Sequence, residues 1–323
     1  MTKGSPLKLM LQFALPLLMG NLLQQTYNII DAAIVGQILG ADALASVGSS
    51  SSVQFLVLGF CIGCCAGFGV PVARYFGAGD HRTMRNYIFN GAVLTAIIAA
   101  ILMIACSLSC GQILHLLSVP DDIFGNAYVY LIVIFIGIPF TLLYNYLSSI
   151  LRSVGDSRTP FLFLGFSAVL NIFLDLFCIV VLKWGCAGAA IATILSQAIS
   201  GSLCLVFIIR KMDLLWLKKS NRVVKGSAVK ELLLMGIPTG LQFSITAIGT
   251  MMVQAAVNLL GATYIAAFSA GGKICNIVTL LFPSLGVTLA TYVGQNMGAG
   301  KIKRIRQGVR ITQVITIIAG IVC

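Results

Sequence analysis

Apolar runs of about 20 residues recur along the chain, and they constrain the fold more than any other feature. A helix of that length crosses the ~30 Å hydrocarbon core of a bilayer. Only 9% of the 323 residues are charged and 59% are hydrophobic, whereas a water-soluble domain carries about a quarter charged residues. The sequence therefore predicts an all-α integral membrane protein. We place the spans at 9–35, 46–73, 86–113, 124–150, 161–182, 186–209, 232–258 and 265–293, and a ninth run begins near 308.

Lysine and arginine residues occupy alternate connections between the spans. Of the 21 basic residues, 19 fall on one side, and Lys183 and Lys273 are the exceptions. This asymmetry is typical of the positive-inside rule. It predicts a multi-pass protein of the plasma (cytoplasmic) membrane, of the bacterial inner-membrane type, with a cytoplasmic N-terminus. The net charge of +12 therefore reports topology, and we expect no nucleic-acid partner.

Two pairs of similar segments indicate an internal repeat. "QILGADALAS" at 37–46 resembles "NLLGATYIAA" at 258–267, and "VARYFGAGD" at 72–80 resembles "VGQNMGAGK" at 293–301. Six spans separate equivalent positions, and because this number is even, the two halves have the same orientation in the membrane. Apolar runs near the start of each half also contain a proline, Pro16 or Pro238.

The repeat predicts two pseudo-symmetric six-helix lobes, the second of which is incomplete in this sequence. We expect an N-lobe at 1–209 with helices 1–6, a basic cytoplasmic inter-lobe loop at 210–230, and a partial C-lobe at 231–323 with helices 7, 8 and the start of 9. On this interpretation the sequence is the N-terminal part of a twelve-helix protein.

Asp31 and Asp175 are the two acidic residues, of nine, that lie well inside apolar runs. A charge at the bilayer centre costs at least about 2.5–3.5 kcal/mol, so intramembrane acids generally face a cavity and serve function. A hydrogen bond from a neighbouring helix could hold a single aspartate for structural reasons alone. Two aspartates at similar depth favour the functional interpretation.

Depth along the helices predicts one polar cavity in the outer half of the membrane. Asp175 lies eight residues before Lys183, Thr193 lies at a similar depth of roughly 10–12 Å, and Asn171 is one turn from Asp175. Asp31 lies in the outer part of span 1. Carboxylate, amide and hydroxyl oxygens suit H⁺ or Na⁺ better than a soft metal. Two adjacent carboxylates resist joint ionisation, so the pair can hold a proton and release it when a cation arrives.

Two further residues in the spans have alternative interpretations. Pro16 lies fifteen residues before Asp31, and a proline inside a helix removes a backbone hydrogen bond. It is either a hinge that bends span 1 or a static kink. Lys273 is a third intramembrane charge, which either extends to the interface or pairs with an acid elsewhere.

Several motifs resemble those of the multidrug and toxic compound extrusion (MATE) family, and the resemblance covers the whole chain. They are "PLLMGNLLQQTYNIIDAAIVGQILGADALAS", "LRSVGDSRTPF", "NIFLD" and "GCAGAAIATILSQ". The family resemblance implies a two-lobed bundle of six plus six helices that opens alternately to each side and expels organic cations in exchange for H⁺ or Na⁺.

The resemblance also implies site residues. The family's N-lobe ion site maps onto Asp31, Asn171, Asp175 and Thr193, with the carbonyl of Ala189, and the proline of its bending first helix matches Pro16. One branch carries a glutamate in span 7, which "GIPTGLQFSITAIG" lacks. The sequence therefore resembles the DinF-like branch more closely.

The leading hypothesis is multidrug efflux by antiport, and the alternative is a flippase for a lipid-linked oligosaccharide or polysaccharide. A flippase should line its cavity with several cations, and the spans supply only Lys273. We expect no enzyme, because no histidine lies at membrane depth, and no direct use of ATP, because there is no phosphate-binding loop. We expect lipophilic organic cations and membrane lipids as partners, a monomer, no cofactor beyond the coupling ion, and no metal site beyond one for Na⁺.

Overall fold

The computed structural model describes residues 1–117, 119–217, 221–258, 271–272 and 275–322, and every regular element in this part of the chain is helical. The fold class expected from the apolar runs is therefore confirmed. The α-helices are α1 (Pro6–Leu39), α2 (Ala41–Ala78), α3 (His81–Leu108), α4 (Cys110–Leu116), α5 (Asp121–Ile136), α6 (Ile138–Ser153), α7 (Arg158–Leu176), α8 (Gly185–Lys211), α9 (Gly226–Asn258), α10 (Leu281–Gly298) and α11 (Ile302–Val322). A π-helix, Phe177–Val181, extends α7, and a 3-10 turn, Asp213–Leu215, follows α8.

Seven helical stretches of the described residues are long and apolar enough to cross a membrane, and α5 and α6 together can form an eighth. The predicted span at 124–150 corresponds to this pair, but it is bent, because the two helices meet at an angle of 46°. Gly137 lies at the bend and Pro139 follows in the first turn of α6. A proline is tolerated there because the first N–H groups of a helix have no intrahelical acceptor.

The basic connection between the halves is shorter than the predicted loop at 210–230. It is shortened from both sides, since α8 continues to Lys211 and α9 begins at Gly226. Part of the connection is fastened to α3: the side-chain amide of Asn86 donates to the carbonyl oxygen of Val223 at 2.8 Å. Asn90 accepts from the backbone N–H of Lys225 at 3.1 Å. These buried amides replace the backbone partners that a loop lacks.

Matching features in the two halves support the internal repeat. Helices α1 and α9 contain 34 and 33 residues, and each continues through an internal proline. Gly79 and Gly300 both follow the C-terminus of a helix with positive φ angles of 75° and 69°. Glycine is favoured at such a position because it has no Cβ to clash. Most of the similar segment at 258–267 lies outside the described residues, and the domain boundaries stay a prediction.

Helix α2 joins the two halves, because it packs against helices of both. Glycines bring its backbone close to α9. A Cβ on Gly63 would lie 2.7 Å from the Cα of Gly240, and one on Gly67 would lie 2.5 Å from the carbonyl oxygen of Met235. Small residues at such crossings let helices in a membrane pack backbone against backbone.

We predict that Gly67→Ala weakens the contact between the halves. The added methyl group overlaps backbone atoms that cannot move aside, and overpacking of this kind costs about 1–3 kcal/mol. The melting temperature of the purified protein measures the effect. Gly48→Ala is the matched control in the same helix, because a Cβ there meets open space. Alanine should leave stability unchanged at that position or raise it by up to about 1 kcal/mol. Equal melting temperatures for both variants would contradict the close crossing.

Candidate functional site

The two intramembrane carboxyl groups predicted from the sequence lie together. Asp31 is on α1 and Asp175 is near the C-terminus of α7, two helices that pack against each other. Each carboxyl group lies within electrostatic range of the other. The Asp175 side chain is 0% exposed, whereas Asp31 is partly buried. Two acids from separate helices therefore face one another in an apolar interior.

Several polar atoms around this pair are buried without a hydrogen-bonding partner among the described residues. They are Asp31 Oδ1, both carboxyl oxygens of Asp175, Oδ1 and Nδ2 of Asn171, and Oε1 of Gln197. Buried polar groups normally have partners, and an unsatisfied one costs about 1–3 kcal/mol. Apart from one amide nitrogen, these atoms are oxygens, the donor type that protons and hard cations prefer. The chemistry of this cluster thus fits a proton or Na⁺.

Thr193 and Ala189 bond to each other within α8. The Thr193 hydroxyl group donates to the carbonyl oxygen of Ala189 at 3.1 Å. Thr193 is partly buried and Ala189 is buried. Their roles as ligands, together with that of Asn171, stay predictions.

Three polar residues near the carboxyl pair were missed by the sequence analysis. Tyr27 and Tyr130 both lie within electrostatic range of Asp31 and Asp175, and Gln197 lies beside Tyr27. Tyr27 could have been found, because it precedes Asp31 by four residues and residues so spaced share a helix face. Gln197 follows Thr193 by the same spacing. Tyr130 comes from α5, and only the tertiary fold brings it here.

The helix that carries Asp175 changes its winding directly after this residue. Within the predicted span at 161–182, the five residues Phe177–Val181 form a π-helix. It ends at Val181, and two residues later Lys183 is a non-glycine residue with a positive φ of 55°. Gly188 of α8 packs against this segment, where a Cβ would lie 3.1 Å from the Cβ of Cys178. Such π-segments are frequent at functional sites, since they shift side chains out of the regular register.

Of the remaining predicted residues, Pro16 and Lys273, the structure describes only Pro16. Pro16 is partly buried in α1, which runs through it as one helix from Pro6 to Leu39. The hinge role of Pro16 stays a prediction. Lys273 lies outside the described residues.

Long apolar helices in two related halves, with a polar cluster buried among them, define a multi-span membrane transporter. The family model described as MatE matches residues 16–177 and 238–323. The chain therefore belongs to the MatE family.

Similar proteins agree with this assignment. The chain is 34% identical over 304 residues to the probable multidrug resistance protein YpnP of Bacillus subtilis, covering 94% of this chain and 68% of that protein. It is 30% identical over 327 residues to the probable multidrug resistance protein NorM of Thermotoga maritima, covering 98% and 69%. A solved structure described as the outward-facing conformation of a multidrug resistance MATE family transporter of the MOP superfamily superposes with a TM-score of 0.91. That match has 21% identity and covers 99% of this chain and 71% of the other, so it shows the fold alone.

We predict that Asp175→Asn stabilises the protein at alkaline pH. A protonated aspartate and an asparagine are both neutral, so the two proteins should melt most alike at the acid end of the range. Raising the pH forces ionisation in an apolar interior, and the wild type should then lose about 2–3 kcal/mol relative to the variant. The difference in melting temperature between the two proteins, measured from about pH 5 to about pH 9, should therefore widen as the pH rises.

The matched control is Asp213→Asn, which removes an exposed carboxylate outside the spans. Its melting temperature should follow that of the wild type at every pH. If Asp175→Asn melts below the wild type throughout, the Asp175 carboxylate is stabilised by partners and the description of an unsatisfied pair is wrong.

Proposed function

We propose that the chain is part of a multidrug efflux antiporter that exchanges lipophilic organic cations for H⁺ or Na⁺. The observation that supports this most directly is the buried pair of Asp31 and Asp175, with oxygen atoms that lack partners among the described residues. A carboxyl pair in an apolar interior gains free energy whenever a proton or cation neutralises it. The pair can therefore couple the binding of an external ion to a change in the helices that hold it.

The proposed orientation places the basic end of the helices in the cytoplasm. It rests on the 19 basic residues on one side of the spans. Contacts between the halves cluster toward that end. Arg74 of α2 forms a salt bridge of 2.8 Å with Glu231 of α9, and the Tyr87 hydroxyl group donates to the same carboxylate. The N-terminal segment adds a bond, in which Arg304 donates to the carbonyl oxygen of Gly4 at 2.9 Å. These contacts support a conformation closed toward the cytoplasm.

Helix α1 offers a physical route from the ion site to the other half. It carries Asp31 near one end, and Asn21 near its middle donates to Ser284 of α10 at 3.0 Å. Pro16 lies five residues before Asn21, on the cytoplasmic side in the proposed orientation. When Asp31 is neutralised, α1 bends near Pro16 and changes its contact with α10. The substrate, bound between the halves, is then released outside.

The names of the relatives support the class of substrate. YpnP and NorM are each described as probable multidrug resistance proteins. The spans of this chain carry few charges, and apolar walls admit many lipophilic cations. Which cations are carried, and whether H⁺ or Na⁺ drives them, are questions for experiment.

The transport test uses everted membrane vesicles, acidified inside, that contain the complete protein carrying this sequence. If H⁺ is the coupling ion, adding ethidium should collapse part of the pH gradient with the wild type. Asp31→Asn and Asp175→Asn should abolish the response, because an amide neither takes up a proton nor neutralises Na⁺. Added Na⁺ identifies the ion, since a Na⁺-driven protein exports ethidium without consuming the proton gradient.

Asp213→Asn is the control for this experiment, because it also replaces a carboxylate by an amide but lies at the surface. It should respond like the wild type at equal expression. Wild-type responses from both Asp31→Asn and Asp175→Asn would exclude the carboxyl pair as the coupling site. Movement of a lipid-linked oligosaccharide without any response to ethidium would favour the flippase.

We predict that Pro16→Ala slows exchange without abolishing ethidium binding. Alanine restores the missing backbone donor and stiffens α1. The exchange rate in the vesicles should fall on the order of tenfold, which corresponds to about 1.4 kcal/mol in the barrier. Pro6→Ala is the control, because Pro6 occupies the first turn of the same helix, where proline causes no break. Unchanged exchange with Pro16→Ala would contradict the hinge.

A further inference from the structure

A long apolar crevice of about 690 Å³ lies on the side of the first half, away from the carboxyl pair. Its walls come from α3, α6 and α8, and the segment after α8 closes one end. Along α3 it extends from Ile88 to Met103, or roughly 22 Å at the rise of an α-helix. One leaflet of a bilayer contributes about half of the ~30 Å hydrocarbon thickness, or roughly 15 Å, so the crevice is long enough to hold a lipid acyl chain.

The composition of the walls suits a hydrocarbon chain. Small side chains of α3, Ala92, Ala96 and Ala99, form the floor, and leucine and isoleucine side chains of α6 and α8 form the sides. The hydroxyl oxygen of Thr95, which also lines the crevice, is buried without a partner among the described residues. Apart from Thr95, Tyr146 and Arg222, the lining residues are apolar.

The end of the crevice that faces the basic side is positively charged. Arg222 lines it there, beside Trp216 and Leu217. The segment 212–225 contains two lysines before Arg222 and a third after it, against the single acid Asp213. Trp216 is 43% exposed, and tryptophan is typical of the interface between hydrocarbon and head groups.

Hydrogen bonds to α3 hold the 3-10 turn that closes the end of the crevice. Arg85 of α3 donates from Nε to the carbonyl oxygen of Leu214 at 2.8 Å, and from a terminal nitrogen to that of Asp213 at 3.2 Å. These bonds fix the 3-10 turn against α3, and the Leu215 side chain is buried beneath it. The 3-10 turn and the wall formed by α3 therefore keep a fixed geometry relative to each other.

We propose that this crevice, with Arg222 at its basic end, is a binding site for one acyl chain of an anionic phospholipid of the cytoplasmic leaflet. The chain lies along α3 and the phosphate group meets Arg222. Basic pockets between membrane helices on the cytoplasmic side are suited to anionic head groups. A transported organic cation would be repelled by the same charges, which separates this site from the substrate path. The proposal rests on the orientation given under the proposed function, but not on the antiport reaction.

Quenching of Trp216 by brominated lipids tests the site. The chain has two tryptophans, so Trp184→Phe serves as the background, and Trp184→Phe/Trp216→Phe supplies the blank. The protein is reconstituted in phosphatidylcholine vesicles that contain increasing amounts of brominated phosphatidylglycerol or brominated phosphatidylcholine. Trp216 should be quenched at about fivefold lower mole fraction of the anionic lipid, the factor expected for one arginine near an anionic head group.

Three variants on this background make the test specific. Arg222→Gln should remove the preference for the anionic lipid, and Ala96→Leu should reduce quenching by either lipid because it fills an exposed part of the floor. Lys183→Gln removes an exposed charge at the opposite end and should change nothing.

Equal quenching by both lipids, or a preference that survives Arg222→Gln, would overturn the proposal. Displacement of the brominated lipid by ethidium would also overturn it, because the crevice would then belong to the substrate path. Transport activity enters none of these readouts, so the lipid site and the antiport can fail separately.

Discussion

Two carboxyl groups from different helices face each other in an apolar interior, and the proposed coupling depends on the free-energy cost of that arrangement. Asp31 and Asp175 lie on α1 and α7, and Asn171 and Gln197 nearby also bury polar atoms without partners among the described residues. The apolar spans alone would be more stable without these acids. A proton or a hard cation removes the cost, so ion binding can change the relative stability of two conformations.

Coupling also requires a path by which a change at the ion site reaches the other half of the protein. Helix α2 holds the halves together through glycine crossings with α9, and Arg74 and Glu231 add an ion pair toward the basic end. Helix α1 carries Asp31 but also contacts α10 through Asn21. In the proposed mechanism the same helix therefore carries the ion site and contacts the other half, which is the minimum that coupling between two sites needs.

Hydropathy and charge were sufficient to predict the spans and the carboxyl pair, because membrane insertion allows very few intramembrane acids. The bend at Gly137 was detectable, because Gly137 and Pro139 lie inside the predicted span and helices kink at such residues. Two features were beyond the sequence. The π-helix after Asp175 depends on how neighbouring helices pack, since the local residues are compatible with a regular helix. Tyr130 reaches the pair from α5, and no local pattern connects it to Asp31. Tyr27, at helical spacing from Asp31, was detectable and was missed.

Ion release on substrate binding is the sharpest test of the carboxyl pair as the coupling site. The purified complete protein is mixed with ethidium in weakly buffered solution containing a pH indicator, and in a parallel sample loaded with radioactive sodium. The account predicts that the wild type releases either protons or Na⁺ as ethidium binds, and that Asp31→Asn/Asp175→Asn binds ethidium and releases neither. Undiminished release from this double variant would show that the coupling ion binds elsewhere, and the carboxyl pair would lose its proposed role.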